Sequence, residues 1–122
     1  MKRLGVSALD LTQFHCIPTA ELKKGEVFEH VRELKLEGKI RDFGVSVESM
    51  EEAQICLQQE GVASLQIIFN IFRQKPIDTL FAEAKRRNVA LLIRLPLASG
   101  LLGGKMTKQT TFAANEIGRA HV

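Results

Sequence analysis

The 122-residue chain has no tryptophan and no tyrosine, so its seven phenylalanines are its only aromatic residues. Only two cysteines occur, Cys16 and Cys56, and they form no C-x-x-C pair. Free thiols and a reducing cytoplasm are therefore expected. No His, Cys or carboxylate stands close to a second ligand of the right type, which argues against a metal site. The N-terminal Met-Lys-Arg-Leu-Gly has no apolar stretch of signal-peptide length. No run approaches the roughly 18 apolar residues that a membrane span needs, so no membrane association is expected. Charge of one sign is also scarce: 17 Lys and Arg stand against 14 Asp and Glu, for a net charge of +3. These charges are interspersed and the phenylalanines sit in apolar runs. That excludes the basic stripe with aromatic platforms of a nucleic-acid binder.

What is present alternates. With 45% apolar and 25% charged residues, the composition is that of one globular domain. "ALDLTQF" (8–14) reads as a strand. "EVFEHVRELKLEG" (26–38) follows as a helix, with Val27, Val31 and Leu34 at helical spacing and Gly38 at its end. "IRDFGVSV" (40–47) is a second strand and "ESMEEAQICLQQEG" (48–61) a second amphipathic helix. "ASLQIIFNIF" (63–72) is a third strand and "PIDTLFAEAKRRN" (76–88) a third helix. Pro76 lies in that helix's first turn, and Lys85, Arg86 and Arg87 favour its C-terminal end. "VALLIRLPL" (89–97) is the fourth strand. The order βαβαβαβ with short connections predicts a parallel α/β sheet with crossover helices. The units recur about every 25 residues, usual for a (β/α)₈ barrel, and no G-x-G-x-x-G follows any strand.

Strand parity places Leu9, Leu11, Gln13 and His15 on one face, with the two polar residues at the C-terminal end. Function in parallel α/β folds gathers at that end. Ser46 ends the second strand, Gln66 and Asn70, four residues apart, share a face of the third, and Arg94 puts a charge in the fourth, where it needs a partner. Polar groups from four strands converging on one rim point to a site. His30 reads as part of a solvated helix face, Cys56 as packing. Cys16, beside His15, has no base or carboxylate in sequence to activate it. "ASGLLGGKMTK" (98–108) fails the P-loop spacing. It reads equally as a loop that holds a phosphate through backbone N–H groups or as a plain solvent loop.

The segments "LDLTQFHCIP", "LKLEGKIRDFGVS", "LQIIFNIFRQ" and "LPLASGLLGGKM" resemble, in this order and spacing, the aldo/keto reductases. These are NAD(P)H-dependent oxidoreductases on a (β/α)₈ barrel. The resemblance runs from Lys2 to about Asn115 and implies strands four to seven, about half a barrel. It makes His15 the catalytic histidine that polarises a small-molecule carbonyl. It places Ser46 and Gln66 on the nicotinamide amide of NADP or NAD, and Leu95, Leu97 and Ser99 near the pyrophosphate. Arg94 stands where the family often stacks an aromatic residue on the nicotinamide, and an arginine can lie flat on the same ring. Val47 replaces a frequent Asn.

The family's catalytic Asp, Tyr and Lys precede the histidine strand, and this chain contains no tyrosine. The resemblance therefore implies a fragment without turnover of its own. The alternative is a non-catalytic α/β module that binds a phosphate or nucleotide. Four strands cannot close a barrel, so poor solubility, or pairing of two copies through the exposed sheet edges, is expected. "IGRAHV" (117–122) fits no part of the pattern and can be encoded by the opening of a common short-read sequencing adapter. The expected organisation is one reductase domain over 1–115 and a non-native tail over 116–122.

Overall fold

The computed structural model describes residues 3–112. The expectations for the end of the domain at 115 and for the tail fall outside these residues.

Four strands form one sheet in the order β1-β2-β3-β4, and every pairing is parallel. They are β1 (Leu9–His15), β2 (Ile40–Ser46), β3 (Val62–Ile68) and β4 (Ala90–Arg94). The connections carry α1 (Thr19–Lys24), α2 (Glu26–Leu36), α3 (Met50–Leu57) and α4 (Ala82–Arg86). Strand order equal to chain order, with a helical crossover at each step, is the arrangement that alternating strand and helix patterns predict.

The helices cover one face of the sheet. Phe28 and Val31 of α2, Ala53, Cys56 and Leu57 of α3 and Ala84 of α4 meet Phe43, Val45, Leu65 and Ile67 in one buried cluster. Phe28 is its centre, fully buried, with its ring 6.4 Å from Phe14 edge to face and 6.5 Å from Phe43. The opposite face carries Leu11, Gln13 and His15 of β1 and their register partners, and it is open. Leu11 is 41% exposed and Leu92 39%. Seen alone this is half of a closed barrel, with its interior side uncovered.

Three local features depart from the sequence reading. Helix α1 was not anticipated, because its six residues bury only Leu22 and carry no repeat of the helical period. Gly25, at φ +83°, both ends α1 and precedes α2, a left-handed turn that suits glycine. The third helix opens as a π-helical turn over Ile77–Phe81 before α4. Strand β3 stops at Ile68, so Asn70 does not share a strand face with Gln66. The Asn70 side chain instead ties the following turn. Its Oδ1 accepts from the N–H groups of Phe72 and Arg73, and its Nδ2 donates to the Leu95 carbonyl. No helix among the described residues is long and apolar enough to cross a membrane.

Candidate functional site

The parallel register lines up residues of equal height on the open face. His15 pairs with Ser46, Ser46 with Gln66, and Gln66 with Leu92, so the three polar residues form one row across the carboxyl ends of β1, β2 and β3. One layer below, Gln13 pairs with Gly44 and Gly44 with Ser64. Gln13 Nε2 donates to Ser64 Oγ at 2.9 Å, passing directly over Gly44. A Cβ at Gly44 would stand 2.1 Å from Ser64 Oγ and 2.6 Å from the Ser64 carbonyl oxygen. The glycine is thus required by close approach, and the bridge it admits forms the floor under the row.

Ser46 is 2% exposed, whereas His15 stands exposed at the strand end and Gln66 is half-buried. No hydrogen bond to the His15 imidazole or the Gln66 carboxamide occurs among the described residues. Gln66 therefore keeps both the donor and the acceptor of its amide available, the pair that another primary carboxamide would complement. The His15 imidazole likewise has no hydrogen-bond partner among the described residues. Gln13 Oε1, buried beneath them, also lacks a partner.

Arg94 is the hub of the rim. Its Nη1 donates to Ser46 Oγ at 3.4 Å and lies 3.9 Å from Cys16 Sγ, and its Nη2 donates to Glu48 Oε1 at 3.2 Å. Cys16 Sγ is also 3.8 Å from both Ser46 Oγ and Glu48 Oε1. The ends of β1, β2 and β4 are thus laced through one guanidinium. Glu48 is the residue that sequence reasoning missed. The charge of Arg94 demanded an acid, but several were available, and only the register selects the one two residues past Ser46.

Glu48 is itself held in place by a capping network. Ser49 caps α3, its Oγ accepting from the Glu52 N–H at 3.1 Å. Glu52 reaches back to accept from the Glu48 N–H at 2.9 Å, the Ser49 N–H at 3.3 Å and the Thr19 hydroxyl at 2.8 Å. Burial alone would raise the Glu52 carboxyl, but the hydrogen bonds from Glu48, Thr19 and Ser49 together hold it below its ordinary value. Cys56 lies beneath, in the core; burial, with the Glu52 charge adding to it, pushes its thiol up to about 12.

The remaining site candidates stand apart from the row. Leu95 and Leu97 are exposed, and Ser99 lies in a kinked 3₁₀ stretch over Ala98–Gly103. Cys16, Leu95, Ala98 and Ser99 all adopt positive φ without being glycine. Four such residues directly after the carboxyl ends of β1 and β4 mark the same rim, where backbone strain is characteristic of functional loops. A small cleft of about 250 Å³ opens on that side between Val47, Glu48, Ile68, Arg73 and Lys75. A roomier cleft, about 390 Å³, lies away from the rim between the edge of β1 and α2.

A floor, a row of polar groups and a strained rim, carried on parallel strands, coincide with a match to the Aldo/keto reductase family over residues 1–117. The chain belongs to the aldo/keto reductase family. It is 32% identical to the aldo-keto reductase YhdN of Bacillus subtilis over 117 residues, 96% of this chain and 35% of that protein. Its structure is similar to that of a glycerol dehydrogenase from Gluconobacter oxydans, with a TM-score of 0.82 and 30% identity, over 98% of this chain and 36% of the other. It is also similar to an aldo/keto reductase from Klebsiella pneumoniae solved with NADP and acetate, with a TM-score of 0.69 and 25% identity, over 89% of this chain and 39% of the other. The chain spans about a third of the length of the curated relatives it matches. Its four strands are part of an α/β barrel of the aldo/keto reductase type, as the sequence led us to expect.

Proposed function

We propose that this aldo/keto reductase chain supplies the nicotinamide-facing part of an NAD(P)H-dependent carbonyl reductase. The observation that carries the reading is the row His15–Ser46–Gln66 at the carboxyl ends of adjacent parallel strands. Gln66 presents its free carboxamide to the amide of NADP or NAD, and Ser46 adds a hydroxyl to the same group. Arg94, fixed by Glu48 and Ser46, offers a guanidinium face beside that position. Leu95, Leu97 and Ser99 line the path toward the pyrophosphate. When bound, the reduced nicotinamide supplies a hydride to an aldehyde or ketone. His15 donates a hydrogen bond from a ring N–H to the carbonyl oxygen of that substrate and stabilises the charge that develops on it.

Proton donation needs a group this chain does not provide, since it contains no tyrosine. The 122 residues by themselves therefore turn over no carbonyl. Residues 1–115 form the reductase domain and 116–122 stand outside it. The chain resides in the cytoplasm, a placement supported by the free thiols of Cys16 and Cys56.

Titration of the ¹⁵N-labelled chain with NADPH tests the site. Shifts should concentrate on the Gln66 side-chain amide and the Ser46 N–H and should vanish in Gln66→Ala. A folded chain with no shifts, or with shifts away from the row, would refute the assignment. Carbonyl-dependent NADPH oxidation that His15→Ala abolishes would overturn the claim of inactivity.

A further inference from the structure

The cleft of about 250 Å³ opens where β2 and β3 end. Both strands have a hydrogen-bonded neighbour on each side, so the cleft lies within the sheet and not at an edge. Its inner wall is apolar: Val47 and Pro76 are buried and Ile68 is half-buried. The charged residues that line it are Arg73, Lys75 and Glu48. The side chains of Arg73 and Lys75 make no hydrogen bond or ion pair among the described residues, and Asp78, the next acid along the chain, pairs with neither. The backbone under these two cations is nonetheless braced. The Arg73 N–H donates to the Asn70 carbonyl at 3.0 Å and to Asn70 Oδ1 at 3.2 Å. The Lys75 carbonyl accepts from the Thr79 hydroxyl at 3.2 Å. Between them Gln74 turns to a different cleft, its Nε2 donating to the Ile71 carbonyl at 2.9 Å. Two cations are thus brought to one apolar cleft without an acid of their own.

We propose that this cleft binds a small monocarboxylate with a short apolar body. Arg73 and Lys75 take the carboxylate, Arg73 through the paired N–H groups of its guanidinium. Val47, Ile68 and Pro76 take the hydrocarbon and remove it from water. Charge favours a single negative group, because two cations less the Glu48 carboxylate leave +1. Glu48 is engaged by Arg94 at 3.2 Å, so its charge opposes the ligand only in part. Size favours a few heavy atoms, since the volume is below that of a pocket for a drug-sized ligand. An inorganic phosphate would satisfy the cations but leave the apolar wall against water. The cleft lies beside the His15–Ser46–Gln66 row and shares none of its residues: Val47 and Glu48 follow Ser46 on β2, and Ile68 follows Gln66 on β3. This inference rests on the cleft and its charges, not on the reductase reading.

The test is a titration of the labelled full chain with 3-methylbutanoate, acetate and inorganic phosphate at neutral pH, followed by NMR. 3-Methylbutanoate should give saturable shifts at the N–H groups of Arg73 and Lys75 and at the methyl groups of Val47 and Ile68. Acetate should bind at the same residues about tenfold more weakly, for the loss of three partly buried carbons. Phosphate should also bind more weakly than 3-methylbutanoate. Arg73→Ala/Lys75→Ala should weaken binding by about tenfold or more, with an unchanged far-UV spectrum because both side chains are exposed. Glu48→Gln should tighten binding by about threefold, since it removes a facing negative charge. That direction is opposite to what a loosened fold would give. No saturable shift at the cleft, phosphate as tight as 3-methylbutanoate, or a double variant that binds like the wild type would overturn the proposal. Should the double variant unfold, Glu48→Gln decides: unchanged or weaker binding overturns it.

Discussion

Gly44→Ala is the sharpest test of how the candidate site is held. Gly44 lies in the layer beneath the His15–Ser46–Gln66 row, between Gln13 and Ser64. A methyl group there meets Ser64 Oγ at 2.1 Å, the Ser64 carbonyl oxygen at 2.6 Å and Gln13 Oε1 at 2.8 Å. The two side-chain contacts can be relieved by rotation, at the loss of the Gln13–Ser64 hydrogen bond, worth about 1 kcal/mol. The carbonyl contact cannot, because that oxygen belongs to β3, and moving it separates β2 from β3. Overpacking of this kind costs about 1–3 kcal/mol, and a backbone obstacle puts this site near 3 kcal/mol. With a urea slope of about 2 kcal/mol per molar, the unfolding midpoint should fall by about 1.5 M. Gly103→Ala is the control: its Cβ meets nothing within 4 Å and its φ is not positive. The same displacement should shift the amide resonance of Ser46, two residues on, in a ¹⁵N spectrum. A Gly44→Ala midpoint within 0.3 M of the Gly103→Ala midpoint, on the same slope, would refute the reasoning.

The two titrating groups behind the rim give opposite pH limits. Cys56 has its thiol raised from 9.0 to about 12, so its neutral form favours the fold; stability should hold below about pH 9 and decline from there toward pH 12, with Cys56→Ala flattening that limb in chemical denaturation. At neutral pH a disulfide reagent should titrate Cys16 and leave Cys56 unreacted until the chain unfolds; prompt reaction of both would contradict the packing. Glu52 is lowered from 4.5, so its contribution is complete above that value and lost as pH falls through the folded-state value. Glu52→Ala removes the capping box and should cost about 1 kcal/mol at pH 7, with less dependence on acid; an unchanged acid limb would count against the network.

Much of the candidate site was legible in the chain because a parallel strand has a period of two. Counting from Leu9 puts Gln13 and His15 on one face without any knowledge of neighbours. Polar residues that break the apolar runs at 46, 66 and 94 are visible for the same reason: a buried strand has few places for them. Asn70 shows the limit of that count. Parity assumes that the strand continues, and β3 ends two residues earlier, so Asn70 became a turn anchor.

The sequence by itself determined the alternation of strands and helices, the parallel order and the polar ends of the strands, since these follow from local hydrophobic period and chain direction. Only the tertiary structure decided which of those ends lie level with one another. Register between strands is set by how helices far apart in sequence pack on the sheet, and no local pattern encodes it. That register puts His15, Ser46 and Gln66 in a row, chooses Glu48 for Arg94, and brings Ser64 so close to Gly44 that no side chain fits between them.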